Sequence, residues 1–136
     1  MKPPKLREKD IAKSCEDFMV LDGWRVVITD PPRLRGLGVT EPGICDSLFI
    51  RYHDRSEAIS HWEIADSQTI WIEWKSKSGV AGEKQKSWQR TERARGALVW
   101  NARTVGEEPE PNNFEASIEG FQEKYRASGL MRRNLR

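Results

Sequence analysis

The chain has 136 residues, of which 32% are charged, and its formal net charge is only +2. This length suits one hydrophobic core and leaves little room for a second, so we expect a single domain over residues 1–136. No stretch approaches the ~20 apolar residues of a membrane span, and the N-terminal sequence MKPPKLREKD lacks the apolar segment of a signal peptide. We therefore expect a cytoplasmic protein. Its overall charge neither requires nor excludes nucleic acid as a partner.

The first part of the chain predicts a helix, a strand and a loop. Apolar residues recur every three or four positions, which indicates a helix from about Lys5 to Leu21 that ends at Gly23. The sequence WRVVIT, residues 24–29, is typical of a strand. Residues 30–43 contain three prolines and three glycines and are predicted to form a loop.

Two apolar runs in the middle of the chain predict a pair of neighbouring strands, at residues 44–52 and 69–77. The polar and acidic residues between them form either an extended hairpin or a short helix. A helix over residues 83–95 and a strand over residues 97–102 follow. Apolar residues at helical spacing then mark a C-terminal amphipathic helix: Phe114, Ile118, Phe121 and Tyr125.

Charged side chains lie on both of the neighbouring predicted strands. Asp46 is near the start of the first strand, and Glu73 and Lys75 are two residues apart on the second. Because residues two apart on a strand point to the same face, Glu73 and Lys75 face one site together. Mg²⁺ takes oxygen ligands, usually one or two carboxylates with water and phosphate. The pattern therefore predicts a site that cuts phosphodiesters.

Asp46, then Glu73-x-Lys75, then Gln85 ten residues later, resembles the pattern of the PD-(D/E)XK nuclease superfamily. Within that superfamily the chain is most similar to the VRR-NUC family of replication and repair nucleases. The family pattern also has a glutamate early in the first helix, which corresponds to Glu8 here.

The match to the family pattern covers about residues 8–103. One departure is Cys45, where the family usually has proline, at a position that shapes the backbone and does not bind metal. A second departure is the long connection between the two motif strands. The resemblance and the element order imply an α/β fold with a restriction-endonuclease-like core, in which helices flank a central mixed β-sheet. This core covers about residues 5–103, with a C-terminal helical extension at residues 104–136.

The resemblance also implies a role for each site residue. Asp46, Glu73, the backbone carbonyl of Trp74 and Glu8 hold one or two Mg²⁺ or Mn²⁺ ions, which activate an attacking water. Lys75 orients that water or stabilises the charge that grows on the phosphate. The predicted catalytic residues are Glu8, Asp46, Glu73, Lys75 and Gln85.

Some of these residues have simpler explanations. A glutamate in the first turn of a helix, such as Glu8, is favoured by the helix dipole alone. A lone Glu-x-Lys, or a glutamine on a surface helix, is common. Asp46 is different, because a carboxylate in an otherwise apolar strand needs a polar partner or a metal.

Basic residues are concentrated next to the proposed site. Between Glu73 and Arg103 there are eight basic and three acidic residues, whereas residues 104–123 contain six glutamates and no Lys or Arg. This distribution suits a polyphosphate ligand, although a solvated helix face explains it equally well. The residues expected to contact DNA phosphates without reading sequence are Arg33, Arg35, Lys77, Lys84 and Lys86.

Three functions fit these observations. The first is a metal-dependent, structure-specific DNA endonuclease that acts on branched DNA such as Holliday junctions. The second is a restriction-like or exonucleolytic enzyme with the same chemistry on duplex or single-stranded DNA. The third is a nucleic-acid-binding module without turnover, which the clustered carboxylates argue against because they repel phosphates.

We also expect a homodimer, since two-fold symmetry suits the cutting of two strands. Large apolar residues outside the predicted core support an interface, namely Trp62, Phe114, Ile118, Phe121 and Tyr125. The alternative is that the C-terminal helix folds back over its own sheet. Cys15 and Cys45 show no metal-ligand spacing and are predicted to be reduced core residues. The tryptophans are expected in the core or an interface, with base stacking by Trp24, Trp62 or Trp88 as the alternative.

Overall fold

The computed structural model describes residues 7–29, 43–52, 67–74, 83–103 and 111–132. These residues form a five-stranded mixed β-sheet with helices packed on both faces. In chain order the elements are α1 (Glu8–Leu21), β1 (Arg25–Ile28), β2 (Ser47–Tyr52), β3 (Ser67–Glu73), α2 (Glu83–Ala94), β4 (Leu98–Arg103), β5 (Asn113–Glu115) and α3 (Ile118–Ala127).

The strands lie in the sheet in the order in which they occur along the chain. β1 with β2 and β2 with β3 are antiparallel, whereas β3 with β4 and β4 with β5 are parallel. The predicted pairing of the two motif strands is confirmed, as is the parallel strand after the crossover through α2. The α/β class and the mixed sheet flanked by helices follow directly from this arrangement.

The helices begin and end close to the predicted residues. α1 ends at Leu21, and Gly23 follows in the left-handed conformation at a φ of 94°. α2 ends at Ala94 and is followed by Gly96 at a φ of 98°. Glycine has no Cβ, so it reaches this conformation without the steric penalty that other residues have.

The prediction that Phe114 belongs to the C-terminal helix is wrong, because this residue lies in β5. The C-terminal extension is therefore a short strand followed by α3, and both belong to the same structure as the rest. β5 adds to the sheet beside β4, and Phe121 of α3 lies in the main core. A strand of three residues is too short to show an alternating apolar pattern.

The main core lies between the sheet and the pair α1 and α3. Alternation along β3 sends Ile70, Ile72 and the following Trp74 to this face. Phe121 is at its centre, since ring centroids 5.3–6.4 Å away surround it. These rings belong to Phe49, Trp74, Trp100, Phe114 and Tyr125.

The burial of these aromatic residues removes the apolar surface that suggested a dimer. Phe114, Phe121 and Tyr125 are buried within their own chain, and Ile118 is partly buried against the same core. The alternative, in which the helix folds back over its own sheet, is the observed one. Trp62 lies outside the described residues.

The opposite face of the sheet carries α2 and a smaller apolar cluster. Trp88 of α2 packs edge to face on Trp71, with ring centroids 4.9 Å apart, beside Val99 and Cys45. Trp88 and Trp24 are buried, which confirms their prediction as core residues and leaves neither ring exposed for stacking on a base.

Both cysteines are buried and free, as predicted. Burial, reinforced by the negative charge of Glu16 and Glu119, raises the pKa of Cys15 to about 12, so this thiol stays protonated at neutral pH. Across the described ranges, no helix combines the length and the apolar character needed to cross a lipid bilayer.

A buried polar network joins β2, α3 and the end of α1. Arg51 Nη1 lies 3.6 Å from Asp22 Oδ2, and Arg51 also donates to Gln68 Oε1 at 2.7 and 3.1 Å. The hydroxyl of Tyr125 donates to Asp22 and accepts from Trp24 Nε1 at 2.9 Å. Buried polar groups without partners are destabilising. The hydroxyl of Tyr125 is central to this network because it is a hydrogen-bond partner for both Trp24 and Asp22.

Replacing Tyr125 by phenylalanine tests the network. We expect Tyr125→Phe to lower the free energy of unfolding by about 1–3 kcal/mol, because Trp24 and Asp22 lose a buried hydrogen-bond partner. Urea denaturation at neutral pH measures the loss. Tyr52→Phe is the matched control, since Tyr52 is 53% exposed, and an equal loss in both variants contradicts the prediction.

The same hydroxyl gives a pH signature. Burial, together with the hydrogen bond to Asp22, raises the pKa of Tyr125 to about 12 from the ordinary value of 10.0. The folded state prefers the neutral phenol. The contribution of this hydroxyl to the free energy of unfolding is therefore complete below pH 10 and is lost as the pH rises through 12. This alkaline loss is absent in Tyr125→Phe.

Candidate functional site

Asp46 and Glu73 lie next to each other's strand ends. Asp46 immediately precedes β2, and Glu73 ends β3 one residue after Ile72, the register partner of Ser47. Each residue is only 5% exposed. The negative charges of both act on the buried thiol of Cys45, which packs in the cluster under α2. Two buried carboxylates therefore lie near the same thiol on the α2 face.

Each carboxylate is held by a hydrogen bond from an uncharged donor. The backbone N–H of Trp74 donates to Asp46 Oδ2 at 3.0 Å. The side-chain amide of Gln85 donates to Glu73 Oε2 at 2.5 Å. The first bond orients Asp46 from the strand beside it, and the second orients Glu73 from the first turn of α2.

The position of that first turn depends on Gly43. Gly43 has a φ of 83°, and its backbone lies so close to α2 that an added Cβ would collide with the carbonyl of Lys84. The same Cβ would lie 3.1 Å from the backbone nitrogen of Gln85. The segment before β2 therefore packs against the helix turn that carries Gln85.

A second layer of polar side chains lies one helical turn further along α2. Gln89 and Asn101 exchange two hydrogen bonds, at 2.8 and 3.0 Å. Arg93 donates to Gln89 Oε1 at 3.3 Å and to the carbonyl of Val99 at 3.0 Å. Asn101 is the register partner of Glu73 in the parallel pair of β3 and β4. This layer was missed in the sequence, where the i, i+4 spacing of Gln85 and Gln89 was its only signal.

A third set of contacts supports the site from the opposite face. Glu16 of α1 is buried and accepts a hydrogen bond from the hydroxyl of Ser47 at 2.9 Å. Ser47 in turn accepts from the indole Nε1 of Trp74 at 2.8 Å. Asp46 and Ser47, adjacent in the chain, thus hold the backbone and the side chain of Trp74. The side chain of Trp74 points away from Glu73, as the alternation predicted.

The structure brings together three of the predicted catalytic residues, namely Asp46, Glu73 and Gln85. Glu8 is exposed at the first residue of α1, and its role in the site stays a prediction. Glu16, two turns later, is the buried acid of that helix, and sequence reasoning did not single it out.

The predicted phosphate-binding residues are only partly described. Lys84 and Lys86 are exposed on α2, on either side of Gln85. The remaining predicted site and DNA-contacting residues lie outside the described residues: Lys75, Arg33, Arg35 and Lys77.

The chemistry of the carboxylate pair fits a hard divalent cation. Mg²⁺ is commonly bound through one or two carboxylates plus waters and substrate phosphates, which matches Asp46 and Glu73. Among the described residues, no group of three or more His, Cys, Asp or Glu side chains is placed to hold a metal by itself. Cys45 is a poor ligand here, because burial and the charges of Glu73 and Asp46 raise its pKa and keep it a thiol.

No protein-family model, curated protein or solved structure matches this chain.

The contact at Gly43 can be separated from its backbone conformation. Gly43 and Gly96 both have a positive φ, but a Cβ at Gly96 meets no atom within 4 Å. We expect Gly96→Ala to cost about 1–2 kcal/mol for the left-handed backbone alone. Gly43→Ala adds the collision with Lys84, for which overpacking costs about 1–3 kcal/mol more.

Urea denaturation of the two variants measures the difference. Equal losses of stability would mean that the close approach of Gly43 to α2 does not exist in solution.

Proposed function

We propose that this chain is a metal-dependent deoxyribonuclease with a restriction-endonuclease-like core. The observation that carries the proposal is the pair Asp46 and Glu73, buried just before β2 and at the end of β3, with Gln85 hydrogen-bonded to Glu73. It combines oxygen ligands for a hard cation with a fixed geometry.

The electrostatics of the pair support a cation-binding role. Two carboxylates placed side by side away from water repel each other, and positive charge nearby relieves that repulsion. A divalent cation supplies such charge, as does the ammonium group that the sequence places two residues after Glu73, at Lys75. Carboxylates gathered at one buried position are the oxygen ligands that a hard divalent cation prefers.

The residues of the chain divide the work of phosphodiester hydrolysis. Asp46 and Glu73 bind Mg²⁺ or Mn²⁺, while the Trp74 N–H and the Gln85 amide keep the carboxylates in place. When bound, the metal polarises the scissile phosphate and lowers the pKa of the attacking water. Lys75 orients that water or stabilises the charge that develops on the phosphate.

Burial of the pair affects cation binding. Asp46 and Glu73 are each only 5% exposed. Exclusion of bulk water strengthens the electrostatic interactions within such a site.

Basic side chains beside the site support a polyanionic substrate. Lys84, Lys86 and Arg90 are exposed on α2. An open groove of about 610 Å³ along this helix is lined by Lys84, Arg90 and Arg95 together with Glu83 and Glu92. Contacts from such basic side chains to phosphates would position nucleic acid without reading its sequence.

The preferred substrate in this proposal is branched DNA such as a Holliday junction, cut by a homodimer. The apolar residues that suggested an interface are buried in the monomer, so the dimer now rests on the symmetry of two-strand cutting alone. A restriction-like or exonucleolytic activity, and a binding module without turnover, are the competing functions.

Substitution of the carboxylates by their amides tests the proposal with little change in shape. We expect Asp46→Asn and Glu73→Gln each to lower DNA cleavage in Mg²⁺ or Mn²⁺ by at least about 100-fold, because each loses a metal ligand worth several kcal/mol of charge stabilisation. DNA binding in EDTA is expected to stay near the wild-type level. Asp17→Asn, an exposed carboxylate on α1, is the control.

The assay uses four-way junction, flap, splayed-arm, linear duplex and single-stranded DNA. Preferential cutting of the junction supports the structure-specific enzyme, and cutting of linear substrates supports the second function. Wild-type protein that binds DNA but cuts none of the five with either metal overturns the enzyme and leaves the binding module.

A further inference from the structure

Three polar side chains attach α2 to the sheet, each one helical turn after the last. Gln85 donates to Glu73, Gln89 is paired with Asn101, and Arg93 donates to the carbonyl of Val99. Residues four apart lie on the same helix face, so all three side chains face β3 and β4. The inner face of α2 therefore carries a line of polar attachments.

The amide pair in the middle of this line has a defined orientation. Gln89 Nε2 donates to Asn101 Oδ1 at 2.8 Å, and Asn101 Nδ2 donates to Gln89 Oε1 at 3.0 Å. Arg93 also donates to Gln89 Oε1 at 3.3 Å, which fixes that end of the amide as the acceptor. Neither amide can flip without losing hydrogen bonds at this partly buried position.

The pair is directly connected to the carboxylate site through the sheet and the helix. Asn101 lies opposite Glu73 in the register of β3 and β4, and Gln89 lies one turn after Gln85. The bond from Gln85 to Glu73 and the pair of Gln89 with Asn101 therefore attach the same helix, α2, to two adjacent strands, β3 and β4. A shift of α2 that breaks one strains the other.

Apolar contacts of α2 with the sheet centre on Trp88. Among the described residues, the cluster on this face has three buried members, Cys45, Trp88 and Val99, with Ile44, Trp71 and Ala97 partly buried against them, and Trp88 is the member from the helix. A partly buried amide pair contributes less to stability than apolar packing of the same volume, but its geometry is much more specific. The amide pair therefore acts mainly by fixing the position of α2 on the sheet.

We infer that Gln89 and Asn101 form a positioning pair that holds Gln85 on Glu73 and so orients this carboxylate toward a divalent cation. The cation is the one in the proposed function, on which this part of the inference rests. The effect on Gln85 itself does not depend on any metal. Neither residue touches the substrate, so both act through Gln85.

The test uses Gln89→Met and Asn101→Leu, which keep approximate shape and remove the hydrogen bonds. The first measurement is the side-chain NH₂ resonance of Gln85 in ¹H–¹⁵N spectra, assigned by its absence in Gln85→Ala. The second is Mn²⁺ affinity by calorimetry, well below the melting temperature. Tyr125→Phe is the control, because it perturbs a buried polar network that involves the other face of the sheet.

We expect both variants to shift the Gln85 resonance and to weaken Mn²⁺ binding by about 10–100-fold, the usual effect of losing a group that orients a metal ligand. The double variant should match either single variant, because the two residues act as one unit. Tyr125→Phe should lose stability without changing either readout.

Two results separate the ways in which the inference can fail. If Gln89→Met and Asn101→Leu lower the melting temperature but leave the Gln85 resonance and the Mn²⁺ affinity at wild-type values, the pair is merely structural and the inference is wrong. If the wild-type protein binds no Mn²⁺, the proposed function fails. The Gln85 resonance then still decides whether the pair positions Gln85.

Discussion

The antiparallel register between β2 and β3 determines the rest of the candidate site. Ser47 pairs with Ile72, which brings Asp46, the residue before β2, to the end of β3, where the N–H of Trp74 binds it. A register shift of one residue would turn Glu73 to the other face relative to β2. Turn geometry does not fix this register, because the connection between these strands is long. Burial under α1 and α3 favours this register, because β3 places Ile70 and Ile72, and β2 places Phe49, in the main core. The main core therefore places the carboxylates, although it lies on the opposite side of the sheet.

The two faces of the sheet differ in the kind of contacts they make. One is covered by two helices and a continuous aromatic cluster around Phe121, which supplies most of the apolar burial. The other has a small apolar cluster and a row of polar contacts under α2. At the end of β3 successive side chains point to opposite faces of the sheet. Glu73 therefore lies among the polar contacts, and Trp74 lies in the aromatic cluster. The apolar core and the carboxylates are therefore separated by the thickness of the sheet.

The features that the sequence predicted correctly are those with a local pattern. Helical periodicity predicted α1 and α2, glycine predicted where both helices end, and the apolar runs predicted β2 and β3 with their pairing. The features it missed depend on distant contacts. β5 is a strand only because β4 lies beside it, and Gln89 meets Asn101 only because α2 crosses over that strand. Tyr125 looked like leftover apolar surface, yet its hydroxyl is a partner for Trp24 and Asp22, which are about a hundred residues away in the chain.

The proposed function requires that Asp46 and Glu73 together bind a divalent cation. Crystals grown or soaked with Mn²⁺, measured at a wavelength where manganese scatters anomalously, test this binding most directly. We expect one or two anomalous peaks within coordination distance of both carboxylates, and their disappearance in Glu73→Gln. Crystals saturated with Mn²⁺ that show no peak beside this pair, or show peaks only at other residues, would contradict it.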